Sequence, residues 1–63
     1  MDKKTLIARL RQLQAADRNA LAIYTDLTEL VQDADQHRIF SGIAEDEKLH
    51  VALGKEILSL LES

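Results

Sequence analysis

Apolar residues in this sequence recur at alternating steps of four and three, the period of one face of an α-helix. In the first half they fall at Leu6, Leu10 and Leu13, then at Ala20, Tyr24, Leu27 and Val31. The position that keeps the period between Leu13 and Ala20 is Asp17. In the second half Phe40 and Ile43 are followed by Ile57 and Leu61, and the bridging positions are Glu47, His50 and Gly54. Ile39, Leu53, Leu58 and Leu60 widen this second stripe. Proline is absent, there are only two glycines, and Ala, Leu, Glu, Lys, Arg and Gln abound. The fold class expected from this is all-α.

The two stripes do not share a register, and the break falls at Gln32-Asp33-Ala34-Asp35-Gln36. Asp33 followed three residues later by Gln36 has the form of a capping box, in which the carboxylate accepts a free amide N–H and the glutamine reaches back. The expected architecture is helix 1 over about 3–32, a very short connection, and helix 2 over about 34–62, as a single domain over 1–63. A short connection makes the helices antiparallel. The alternative is one continuous helix, since neither Gly nor Pro marks the turn. A chain of 63 residues is marginal as a lone domain, and with no cysteine it has neither disulfides nor thiolate metal sites to hold it. What remains is a metal held by N and O ligands, a partner chain, or both. Two hairpins pairing face to face close a four-helix core, so a homodimer, or a higher oligomer of such dimers, is expected.

Charge narrows the function classes. Eleven acids against eight bases give a net charge of −3, and Arg9, Arg11, Arg18 and Arg38 are scattered among acids. That leaves no basic face for nucleic acid. No apolar run approaches the ~20 residues of a membrane span. Met1 to Leu6 does not read as a secretory signal, so a cytoplasmic location without a membrane partner is expected.

The chemistry resides in the ionisable residues that interrupt the stripes. Burying an uncompensated carboxylate costs several kcal/mol, and Asp26, Glu29, Glu45 and Glu56 have outer or flanking faces available to them. Asp17, Glu47 and His50 do not. Glu47-Lys48-Leu49-His50 is a Glu-x-x-His motif, whose ends lie one turn apart on one side of a helix. In an antiparallel hairpin Asp17 stands about as far before the turn as Glu47 and His50 stand after it, so the three meet at one level. A two-fold dimer would then enclose four carboxylates and two histidines, the ligand set of carboxylate-bridged di-iron and di-manganese sites. Iron or manganese suits these donors, and zinc competes. Blander readings stand beside this one. Glu47 and His50 can be a surface hydrogen-bonded pair, Asp17 a polar residue that fixes register, and Tyr24 plain packing. Glu45 and Asp46 form a solvated face or an acidic approach for cations. Gln12, Gln14 and His37 read as surface residues.

The segments Asp17-Arg18-Asn19-Ala20-Leu21-Ala22-Ile23-Tyr24 and Phe40-Ser41-Gly42-Ile43-Ala44-Glu45-Asp46-Glu47-Lys48-Leu49-His50 resemble the ferritin-like and rubrerythrin superfamily. Within it they are most similar to encapsulated ferritins, two-helix proteins that build a di-iron site on dimerising. The resemblance covers about residues 10–60. It implies a ferroxidase-type centre that oxidises Fe²⁺ with O₂ or peroxide, for iron storage or detoxification. In that centre Glu47 bridges the metals, His50 binds terminally, Asp17 stands where the family has glutamate, and Tyr24 hydrogen-bonds behind the ligands. It also implies an encapsulin-type shell as a partner. Gly54 replaces a bulkier residue one turn past His50, and the expectation is that it leaves space beside the site for water, oxygen or a neighbouring chain. Without cysteine the chain has no rubredoxin-like electron centre. The competing function classes are a non-enzymatic helical hairpin dimer, acting as an adaptor or in RNA binding, and a purely structural metal site.

Overall fold

The computed structural model describes residues 2–63, which form two helices, α1 (Lys3–Leu30) and α2 (Ala34–Glu62), packed against each other along their length. The pair measures 46 × 15 × 14 Å, as expected for helices of nearly thirty residues rising about 1.5 Å per residue. This is the all-α antiparallel hairpin expected from the periodicity, and the single continuous helix is excluded.

Each helix begins on an aspartate. Asp2 Oδ1 accepts from the Thr5 N–H at 2.8 Å, and Asp33 Oδ2 accepts from the Gln36 N–H at 2.9 Å. The carboxylate half of the anticipated capping box is therefore present. The Gln36 side chain makes no return bond to Asp33 among the described residues. Helix α1 ends two residues before the expected boundary, because Val31 is already extended (φ −77°, ψ 143°), as is Asp33 (φ −75°, ψ 129°). Neighbouring helix axes stand 8–10 Å apart, and about three extended residues at ~3.3 Å each are needed to cross that gap. Val31, Gln32 and Asp33 make the crossing. None of them has a positive φ, so the turn needs no glycine.

The helices meet along a seam of alternating steps. From α1 it takes Ile7, Leu10, Gln14, Asp17, Leu21, Tyr24 and Thr28, with Val31 just past its end, all buried or half-buried. From α2 it takes Phe40, Ala44, Glu47, Val51, Gly54, Leu58 and Leu61, likewise. Near the turn the rings of Tyr24 and Phe40 pack with centroids 6.2 Å apart, tilted by 36°. At the open end Arg11 pairs with Glu62 on the surface. Among the described residues only Gln14 and Ala44 are buried, at 5% and 6% exposure. Gln14 was expected on the surface and is instead at the centre of the seam. Gly54 lies opposite it and lets the glutamine side chain lie flat on α2, where its Nε2 donates to the Val51 carbonyl at 3.0 Å.

A second row of apolar residues runs beside the first and is left open. On α1 it comprises Leu6, Leu13, Ala16, Ala20, Ile23, Leu27 and Leu30, with Arg9 as its one polar member. On α2 it comprises Ile39, Ile43, Leu53, Ile57 and Leu60, with Asp46 and His50. Of the large hydrophobic residues the hairpin exposes, all but Leu49 fall on this row, and Leu30 and Leu60 are 74% and 72% exposed. The stripe read from the sequence draws alternately on the two rows. It therefore marks the line between them, and that line faces the centre of a bundle when both rows are covered.

Candidate metal centre

Asp17, Glu47 and His50 converge as the antiparallel register requires, with one donor atom from each lying within 4.8 Å of the others. Two donors on one ion at about 2.1 Å each stand no more than ~4.2 Å apart. Three donors spread around one ion stand about 3.5 Å apart, so the side chains need to close by roughly an ångström, within reach of rotamer adjustment, to share a cation. Asp17 comes from the middle of α1, and Glu47 and His50 come from successive turns of α2.

The three side chains differ in exposure. Glu47 belongs to the closed seam, and its side chain is 15% exposed. His50 belongs to the open row, and its side chain is 54% exposed, so the expectation that it is a core position does not hold within one hairpin. It becomes one only when the open row is covered. Glu47 Oε1 stands 3.4 Å from His50 Nδ1, a long contact, while Glu47 Oε2 is buried with no hydrogen-bond partner. Buried carboxylate oxygens are ordinarily satisfied, and an orphaned one costs free energy. A surface Glu–His pair, one of the blander readings, leaves this atom unexplained. The donor set of two carboxylates and an imidazole fits a divalent cation, whose charge would offset the burial of both acids.

The triad opens into a groove of about 420 Å³ whose other walls are Leu10, Leu13, Gln14, Leu53, Gly54 and Ile57. Polar donors set in an apolar, partly enclosed site are the usual surroundings of a bound metal or small ligand. The floor of the groove corrects one expectation. Gly54 does not leave empty space beside the site, because a Cβ there would overlap the Gln14 amide and come within 3.0 Å of Gln14 Cδ.

Tyr24 is not part of this groove. It stands seven residues beyond Asp17, about 10 Å along the axis, and its ring lies against Phe40. Its carbonyl accepts from the Thr28 hydroxyl at 2.7 Å. No hydrogen bond among the described residues joins it to the triad. Gln12 and His37 are exposed, as expected, and Gln12 accepts from Arg9 at 3.3 Å. Glu45 and Asp46 lie on the surface, where Glu45 pairs with Lys48 at 3.0 Å. Among the described residues no helix is long and apolar enough to cross a membrane.

The residue missed by sequence reasoning is Gln14. Its signal lay in the spacing, four residues after Leu10 and three before Asp17. That signal was masked by the neighbouring stripe through Leu13. No protein-family model matches the chain, and no curated protein or solved structure matches it.

Proposed function

We propose that this hairpin is half of a ferritin-like di-iron carboxylate protein, in which two copies pair across their open rows and enclose two Asp17–Glu47–His50 sets. The observation that carries the reading is the buried, unpartnered Oε2 of Glu47 within a cluster of three metal-compatible donors. The open row supports the second half of it. His50 lies on that row among Leu53, Ile57 and Leu60, so covering the row would dry the site and complete its walls.

On this reading Glu47 lies between the ions, with Asp17 and His50 as outer ligands. Fe²⁺ is the substrate, giving up one electron per ion to O₂ or peroxide. The residues of the chain bind and orient the ions, and the apolar walls exclude water. Manganese and zinc suit the same donors and compete for them. Tyr24 packs on Phe40 as a wall of the bundle nearer the turn. An encapsulin-type shell is the partner that would make such a dimer a storage system.

The test is anaerobic titration of the purified chain with Fe²⁺, following iron stoichiometry, molecular mass and absorbance when O₂ is admitted. About one iron per chain, dimerisation linked to metal and rapid oxidation are expected, as two sets of ligands for two ions require. Glu47→Ala and His50→Ala should lose both binding and oxidation. Binding without oxidation would make the metal purely structural. Absence of binding, or wild-type behaviour in both variants, would return the chain to the class of non-enzymatic hairpins.

A further inference from the structure

We infer that Gln14 is the positioning residue of the site, the key that locks α1 and α2 in the one register that brings Asp17 to Glu47 and His50. The seam is built from residues at steps of three and four on both helices, and apolar contact along such a seam has no direction. The extended three-residue connection leaves no slack for a slip of a whole heptad, but smaller sliding and rotation of one helix on the other keeps apolar contact and draws Asp17 away from its partners. A directional contact is needed to settle that. Coiled coils use a single buried amide for this purpose, at a cost in stability. For Asp17 the register role is the blander alternative to metal ligation, and its side chain lines the groove with the other donors.

Gln14 has the required features. It is 5% exposed, the only buried polar residue among those described. Its Nε2 donates to the Val51 carbonyl at 3.0 Å, the one hydrogen bond that joins the helices inside the seam. The other tie between them, Arg11 to Glu62, is at the exposed end, where ion pairs contribute little. The glutamine amide also occupies the volume that any side chain at position 54 would need. Of the residues α2 presents to the seam, only Gly54 leaves that room. Hydrogen bond and steric fit thus select the same register from two directions. The lock is close to the chemistry, since Gln14 is one turn before Asp17, Val51 follows His50, and Gly54 is one turn beyond His50.

The test separates register from metal chemistry, because only its metal arm rests on the proposed site. Gln14→Met keeps the volume and removes the donor. Ala8→Cys and Glu45→Cys, both on exposed positions away from the groove, place nitroxide labels at different levels of the two helices. The native chain has no cysteine to interfere. With labelled chain diluted into unlabelled chain, pulsed electron resonance should give one narrow distance in the wild-type background. In Gln14→Met it should give a second population displaced by a few ångströms, less than the ~5 Å of one helical turn. Gly54→Ala should do the same, and Gly54→Ala combined with Gln14→Ala should regain thermal stability without regaining the single distance. In parallel, Co²⁺ absorbance should report affinity about tenfold or more weaker in Gln14→Met, with an altered ligand-field spectrum. A single unchanged distance in Gln14→Met overturns the inference, whatever the metal result. Failure of the wild-type chain to bind Co²⁺ overturns the metal reading and leaves the distance measurement to decide the register.

Discussion

The Oε2 atom of Glu47 is buried without a partner, on a helix whose other acids, Asp35, Glu45, Asp46, Glu56 and Glu62, are all exposed. A charge held in this way lowers the stability of the metal-free fold and raises it once a cation is bound, which is how functional sites commonly trade with folding. Glu47→Gln removes the charge and keeps the shape. The metal-free variant should be more stable than the parent by about 1 kcal/mol, because the charge is gone while an amide atom still takes the unpartnered place, read as a rise in melting temperature. Addition of metal should raise the parent's melting temperature and leave the variant's unmoved. A metal-free Glu47→Gln protein that melts below the parent would show that the carboxylate is already satisfied. Asp2 presents the opposite case, a fully exposed carboxylate held below its ordinary value of 3.8, first by the Thr5 backbone N–H and then by the Thr5 hydroxyl. A carboxyl whose folded value is depressed contributes while it is ionised, above its ordinary value, and loses that contribution as pH falls through the depressed one. Protection of the Thr5 amide, its exchange taken relative to an unstructured chain at the same pH, should therefore fall as the solution is acidified through the range below 3.8. Protection in Asp2→Asn should lack that step.

At the level of the helices, the cap at Asp33 is the sole local instruction that ends one helix and begins the next. The connecting backbone stays at negative φ throughout, and that is why no glycine or proline announces the turn. Asp33→Ala leaves the Gln36 amide without its acceptor and should cost about 1 kcal/mol, measured by urea unfolding. Extension of α1 through the connection, seen as increased helicity, would be the larger failure. The same elements show why the sequence was partly legible. Helix type, the position of the break and the facing of Asp17 with Glu47 and His50 all follow from period and cap, which are local properties. The end of α1 at Leu30 does not, because it is set by the gap the chain must cross to reach α2. Gln14 was hidden for a related reason. Two apolar rows run side by side on each helix, and a single stripe drawn through them passes along their boundary. It picks up Leu13 and His50 from the open row and misses Gln14 and Val51 on the closed one. The role of Gly54 was misread with it, since the absent side chain is matched by a large one on the other helix.

Taken whole, the hairpin leaves one apolar row open. It exposes 4844 Å², against about 4,100 Å² for a compact monomer of its mass, and the excess of roughly 700 Å² is close to the ~800 Å² each partner contributes to a standard interface. The placement of the exposed residues says more than the area. Leu6, Leu13, Ile23 and Leu30 on α1 and Ile39, Leu53, Ile57 and Leu60 on α2 keep helical steps and share the side onto which the triad opens. A second copy of the same row is the surface that matches them in length and period. If that row is the interface, folding and association are coupled, and the melting temperature should rise with protein concentration, as it does for any dimer whose monomer is weak. Leu53→Asp should abolish the dimer in sedimentation equilibrium, lower helicity at micromolar concentration and remove metal binding together. Leu49→Asp is the matched control, because Leu49 is as exposed as Leu13, at 57%, yet belongs to neither row. It should leave mass, helicity and metal binding unchanged. Loss of the dimer in Leu49→Asp, or its survival in Leu53→Asp, would place the interface on another face. The two triads would then be held apart, and each would have to bind its ion with the three donors of a single chain.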